Sequence, residues 1–166
     1  MSDTEDEGYH TEVDDNETLY RSVWLEPQCF FYDAEGILHV SKEAFADRKF
    51  QPSLYRKHLC EDPPHSNPPR LDSTQAVVSL IARKIREAGH IPHKSEVKPS
   101  AEAVTHIIEI ICDVSAGQHE SHCIVIAYPE FPNSGAFNKL KRILARLVEQ
   151  FDIEPCKEFL EQVKRQ

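Results

Sequence analysis

Apolar and polar residues alternate and cluster along this chain in a way that marks out its elements. The densest apolar stretch runs from His106 to Phe131. It reads His-Ile-Ile-Glu-Ile-Ile-Cys-Asp-Val, then a polar link holding Gly117, then His-Cys-Ile-Val-Ile-Ala-Tyr-Pro-Glu-Phe. β-Branched residues suit pleated strands and a glycine-bearing link suits a turn, so this stretch predicts a β-hairpin. Near-continuous apolarity predicts strands covered on both faces.

Upstream, Leu19 to Leu25 reads as a strand that Pro27 interrupts. Asp33-Ala-Glu-Gly reads as a turn with Gly36 at its permissive position, followed by a short strand from Ile37 to Val40. Ser41 is placed to cap a short helix over Lys42–Asp47, turning Ala44 and Phe45 inward. From Phe50 to Leu71 come Pro52, Pro63, Pro64, Pro68 and Pro69, which predict a long irregular loop.

Val77, Val78, Ile81, Ile85 and Ala88 follow the helical period and predict a helix from about Thr74 to Ala88, ended by Gly89. His90 to Ser100 reads as a second proline-containing loop. The stripe Phe137, Leu140, Leu144, Leu147, Val148 and Phe151 predicts the longest helix, over Ala136–Phe151. Pro155 suits the first turn of a last helix, which buries Phe159, Leu160 and Val163. The mixture points to an α+β fold. The expectation is a small, mostly antiparallel sheet with a central hairpin at about 106–128 and three main helices packed on it.

Charge divides the chain. Of its 28 acidic residues, eight lie within residues 1–18, a segment with no Lys or Arg. The other 20 face 19 basic residues, so residues 19–166 are close to neutral. Residues 1–18 are expected to be a disordered acidic tail, dispensable for folding, ahead of a single domain over 19–166. The absence of a basic surface argues against capture of nucleic acid. No apolar run reaches the roughly 18 residues a membrane helix needs. Five cysteines without framework spacing suit a reducing cytoplasm.

Metal ligation is weighed at two clusters, His58-Leu-Cys60 with His65, and Cys112 with His119, His122 and Cys123. Neither has the paired spacing that zinc sites use, so no metal and no cofactor is expected. Cys123 beside His122 suggests a thiol nucleophile, but neighbours on a strand point to opposite faces. Glu109 and Asp113, with Glu96 and Lys98 before them, are candidate carboxylates for a nuclease, set against the reading of solvated strand edges. No Walker loop, Gly-x-Ser-x-Gly or Gly-x-Gly-x-x-Gly is present.

A last set is Arg21, Ser53, Arg56 and His122. An arginine inside an apolar strand needs an acceptor. Two guanidinium groups, a hydroxyl and an imidazole suit an anion. The alternative for Arg21 is a simple ion pair with Glu26 or Glu43.

The pieces Tyr20-Arg21-Ser22-Val23-Trp24, Ala44-Phe45, Pro52-Ser53-Leu54-Tyr55-Arg56 and His122-Cys123-Ile124-Val125 resemble a group of small bacterial proteins. Those proteins carry an Arg-x-x-x-Trp-like start, an Ala-Phe, a Pro-Ser-Val-x-Arg and a late His-Ala-x-Ile, and no activity is established for them. Here Leu54 stands for Val and Cys123 for Ala, and the resemblance covers about residues 19–150. It implies a bacterial origin and a shared site for Arg21, Ser53, Arg56 and His122, and it names no reaction.

The expectation is a bacterial cytoplasmic accessory module without catalysis, binding a protein partner or a small anionic ligand, with no membrane or nucleic acid. The alternative is an enzyme acting on a nucleotide or nucleic acid, with His122 as general base and Arg21 and Arg56 as phosphate clamps.

Overall fold

The Ile/Val-rich hairpin forms where its pattern places it, but it is not covered on both faces: Ile107, Ile111 and Tyr128 are exposed. In the computed structural model, which describes residues 12–47, 49–60, 75–88, 90–93, 104–113 and 118–165, strand β7 (Val104–Cys112) pairs antiparallel with β8 (His122–Tyr128). The register runs from Ile107↔Tyr128 to Cys112↔Cys123.

The earlier strands are β1 (Thr18–Trp24), β2 (Phe30–Tyr32), β3 (Leu38–Val40), β4 (Ser53–Arg56), β5 (Gln75–Ile81) and β6 (His90–His93); β9 (Gln150–Ile153) comes late. Seven of them form one sheet in the order β6-β7-β8-β4-β1-β5-β9, while β2 and β3 pair apart from it. Every described pairing is antiparallel. The helices are α1 (Ala82–Glu87), α2 (Ser134–Leu147) and α3 (Lys157–Lys164). The fold is α+β.

Register and the two-residue period sort the side chains. Leu19 opposite Arg56 puts Leu19, Arg21, Val23, Leu54, Arg56, Cys123 and Val125 on one face. Tyr20 opposite Tyr55, itself opposite His122, puts Ser22, Trp24 and Ser53 with them on the other. Leu19, Val23, Leu54 and Val125 share one core with Ala136, Phe137, Leu140 and Leu144 of α2. Asn133 caps that helix, its side-chain oxygen accepting from Gly135 N at 2.9 Å.

Several expectations need correcting. Residues 75–81 form β5, not the first half of a helix. Gln75 to Leu80 are all buried, between β1 and β9, and an apolar run covered on both faces matches either period. The helix that follows is only α1. The stretch predicted as loop from Phe50 to Leu71 contains β4 and a 3-10 turn over Lys57–Leu59; residues 61–74 lie outside the described residues. In the predicted loop His90–Ser100, His90–His93 forms β6. The long helix stops at Leu147, and Phe151 sits in β9, where it pairs with Val78 and closes the edge of β5.

Residues 12–18, expected to belong to a disordered tail, are packed on the fold. Val13 is 2% exposed within the core, Asp15 and Glu17 carbonyls accept from Arg83 and Ala82 at the start of α1, and Thr18 opens β1. Residues 1–11 lie outside the described residues. Ser41 caps a 3-10 turn over Lys42–Phe45 by accepting from Glu43 N, and Gly36 adopts φ 81° in its turn. Among the described residues, no helix is long and apolar enough to cross a membrane.

Candidate functional site

β1 and β4 pair only at Leu19↔Arg56 and Tyr20↔Tyr55. Beyond Tyr20 the strands have no ladder, and the Arg21 side chain bridges them. Its Nη1 donates to Ser53 O at 2.9 Å and to Asp47 Oδ2 at 2.8 Å, and its Nε donates to Ala44 O at 2.9 Å. Asp47 Oδ2 also accepts from Ser53 N at 3.0 Å. Arg21 thus does form an ion pair, with Asp47 instead of Glu26 or Glu43. It is an arginine in an apolar strand that found its acceptors in the loop ahead of β4.

A cleft of about 420 Å³ opens at this splay. Arg21, Ser22, Trp24, Ser53, Tyr55 and Gln75 line it from the strands, and Glu26, Cys29, Glu43 and Asp47 from the segments between them. Trp24 is 54% exposed. Ser22 Oγ is buried and has no hydrogen-bond partner among the described residues. Around Cys29 the neighbouring carboxylates outnumber the arginine. The Cys29 thiol is pushed up to about 11, first by burial and then by the carboxylates of Glu26 and Glu43, with Arg21 pulling the other way. Burial likewise raises the Tyr55 hydroxyl, which Arg21 opposes.

Ser53 and His122 meet. Tyr55 lies opposite His122 and Ser53 opposite Ile124, so Ser53 and His122 are diagonal neighbours on one face. Ser53 Oγ is 2.9 Å from His122 Nε2. On the imidazole's other side, Nδ1 is 3.1 Å from Asp113 Oδ2. The hairpin brings that carboxylate there: Asp113 N donates to His122 O, one position beyond Cys112↔Cys123.

Arg56 belongs elsewhere. It points to the core face, and its side chain is 3% exposed. Nε and Nη2 engage both oxygens of Glu17 at 2.7 and 2.8 Å, and Nη1 approaches Cys112 Sγ at 3.3 Å. The Glu17 carboxylate raises the guanidinium's pKa further. So the structure groups Arg21, Ser53 and His122 through Ser53, and sets Arg56 apart from them in an ion pair with Glu17.

The other candidate sets have ordinary partners. Glu109 accepts from Arg86 Nε at 2.7 Å, whereas Asp113 pairs with the His122 imidazole; Glu96 and Lys98 lie outside the described residues. His58 Nδ1 is 3.1 Å from Glu17 Oε1, and His65 lies outside the described residues. Among the described residues, no group of three His, Cys, Asp or Glu side chains could hold a metal ion. Cys123 is fully buried, and burial pushes its thiol far up, which makes it a packing residue.

Sequence reasoning missed Asp113 as the partner of His122. The signal was present in the hairpin: a turn centred between them pairs residues about equally distant from it. It missed Asp47, and it did not gather Trp24, Glu26 and Glu43 into one cleft, because the splay that gathers them depends on where β4 stops pairing with β1. Comparison with known proteins finds no matching family model, no matching curated protein and no matching solved structure.

Proposed function

We propose that the protein is a ligand-binding module whose cleft, at the splay of β1 and β4, takes a small organic cation. The observation that carries this is the lining: Glu26 and Glu43 beside an open indole, with Arg21, the one cation among the described lining residues, already held by Asp47. Carboxylates with an aromatic face attract ammonium and guanidinium groups, and the volume falls in the range of small-molecule sites. The buried Ser22 hydroxyl offers a further hydrogen bond to such a ligand. An anionic ligand would have to displace a carboxylate from Arg21 and face two more, which supports a ligand of the opposite sign.

The setting that goes with this reading is a bacterial cytoplasm. Its supports are the short motifs quoted above and five cysteines that are all free thiols.

Trp24 is the only tryptophan in the chain, so fluorescence excited selectively at the indole reports on the cleft. Titration with tetramethylammonium, guanidinium and arginine amide, against acetate and phosphate, gives a saturable change for cations only. Glu43→Gln weakens that binding about five-fold, as expected for losing roughly 1 kcal/mol from a partly exposed charge pair. A saturable response to phosphate with none to the cations overturns the reading.

A further inference from the structure

The cleft wall also carries a chain of groups that binding alone does not use. Asp113 Oδ2, His122 Nδ1, His122 Nε2 and Ser53 Oγ follow one another at 3.1 Å and 2.9 Å on either side of the ring. A carboxylate at Nδ1 holds the proton on that nitrogen and leaves the Nε2 lone pair facing the hydroxyl. The imidazole side chain is 5% exposed and Asp113 27%, while Ser53 stands in the cleft lining. Ser53 and His122 sit on the paired strands β4 and β8, and Asp113 follows β7 directly, its N donating to His122 O.

We propose that Ser53 is a nucleophile, with His122 as its general base and Asp113 as the positioning residue, and that it takes an acyl group from an ester held in the cleft. Ser53 Oγ attacks the ester carbonyl carbon while its proton moves to His122 Nε2. The tetrahedral adduct collapses, the bond to the alkoxide breaks, and that oxygen takes the proton from Nε2. A solvent water then attacks the acyl carbon and passes a proton to Nε2, which returns it to Oγ as the Ser53–acyl bond breaks. The sum is ester plus water to acid plus alcohol.

The same sites explain why a thiol mechanism does not compete. Cys123 shares a strand with His122 but points to the core face, and Cys29, within the cleft lining, is largely protonated at neutral pH. The nucleophile assignment rests on the cleft being open to small molecules, and not on the sign of their charge.

The test is a neutral aryl fluorophosphonate, which forms an Oγ–phosphorus bond and releases fluoride. Intact-mass and peptide-mass analysis of the full chain is expected to find one adduct, on Ser53, formed faster on the folded protein than on the chain in urea. Ser53→Ala abolishes it, and Ser134→Ala, on the exposed start of α2, leaves it unchanged. The labelling rate is recorded as a function of pH. Asp113→Asn slows it about a hundred-fold or more and displaces that pH profile, as loss of the tautomer-holding carboxylate requires. A purely structural Asp113 would lower the folded fraction, read by circular dichroism, and leave the profile in place.

No adduct on Ser53, or a Ser53 rate equal in folded and urea-unfolded chain, overturns the proposal. Cation binding read from Trp24 in the same samples separates that failure from a failure of the cleft itself.

Discussion

Glu17→Ala is the most informative single substitution for the fold. The Arg56 side chain is 3% exposed and Glu17 11%, and two parallel hydrogen bonds of 2.7 and 2.8 Å join them. Removing the carboxylate leaves a guanidinium in the core with only the Cys112 sulfur and its remaining neighbours as acceptors. Leaving one charge of a buried pair uncompensated costs about 3–5 kcal/mol, a large share of the roughly 5–15 kcal/mol that holds a whole domain together. Glu17→Gln keeps the shape and one acceptor, so it costs about half as much, the difference between a charge-assisted and a neutral hydrogen bond.

Arg56→Met together with Glu17→Leu removes both charges, and recovers most of the Glu17→Ala loss by the same argument. Urea unfolding at neutral pH, with slopes that agree between variants, measures each term, and the two single variants with the double give the coupling. A Glu17→Ala cost below about 1 kcal/mol would match an exposed pair. It would refute the docking of residues 12–17 against α1 and β7.

Three further outcomes follow from the same packing. Val125→Asp abolishes cooperative unfolding, because Val125 is fully buried in β8 and an unpaired carboxylate there costs several kcal/mol; a soluble variant with a sharp melt would contradict this. Asp33 has its carboxyl held below the usual 3.8, first by the Ile37 backbone N–H and then by His39. A depressed carboxyl stabilises its turn above the unfolded pKa and yields as pH falls through the folded one. The Ile37 amide should therefore titrate with a midpoint below 3.8, and a midpoint at or above it would count against the turn. In a thiol-reagent time course at pH 8, exposed Cys156 reacts first and Cys123 and Cys29 resist until unfolding. At about 11 against an ordinary 9.0, Cys29 holds about a hundred-fold less thiolate, so early Cys29 modification would contradict the packing around the cleft.

The strands and helices were legible in proportion to how one-sided their burial is. α2 shows a clear stripe because one side of it meets the core, and the β7–β8 hairpin shows itself through β-branched runs around a polar link. β5 did not, since a strand buried on both faces loses its two-residue alternation. Residues 12–17 looked like tail because acidity dominates them; the one apolar residue Val13 decides their placement by core contact, and Asp15 and Glu17 by non-local ion pairs with Arg86 and Arg56.

The site was legible only in its parts. Ser53 and His122 were picked out, and their contact is a consequence of β4 pairing with β8, 69 residues apart in sequence. Arg21 and Arg56 looked equivalent, yet one fills a gap between strands and the other an ion pair on the core face. Register puts both on one face; what separates them is the carboxylate each meets, Asp47 ahead of β4 or Glu17 ahead of β1.

The most direct test of the cleft is amide and indole chemical-shift mapping during titration with guanidinium or tetramethylammonium. The account predicts saturable shifts gathered at the Trp24 indole, Ser22, Tyr55 and Gln75, weakened together by Glu26→Gln and Glu43→Gln. Shifts gathered instead around Arg56 and Glu17, or spread evenly over the acidic surface without saturation, would contradict it.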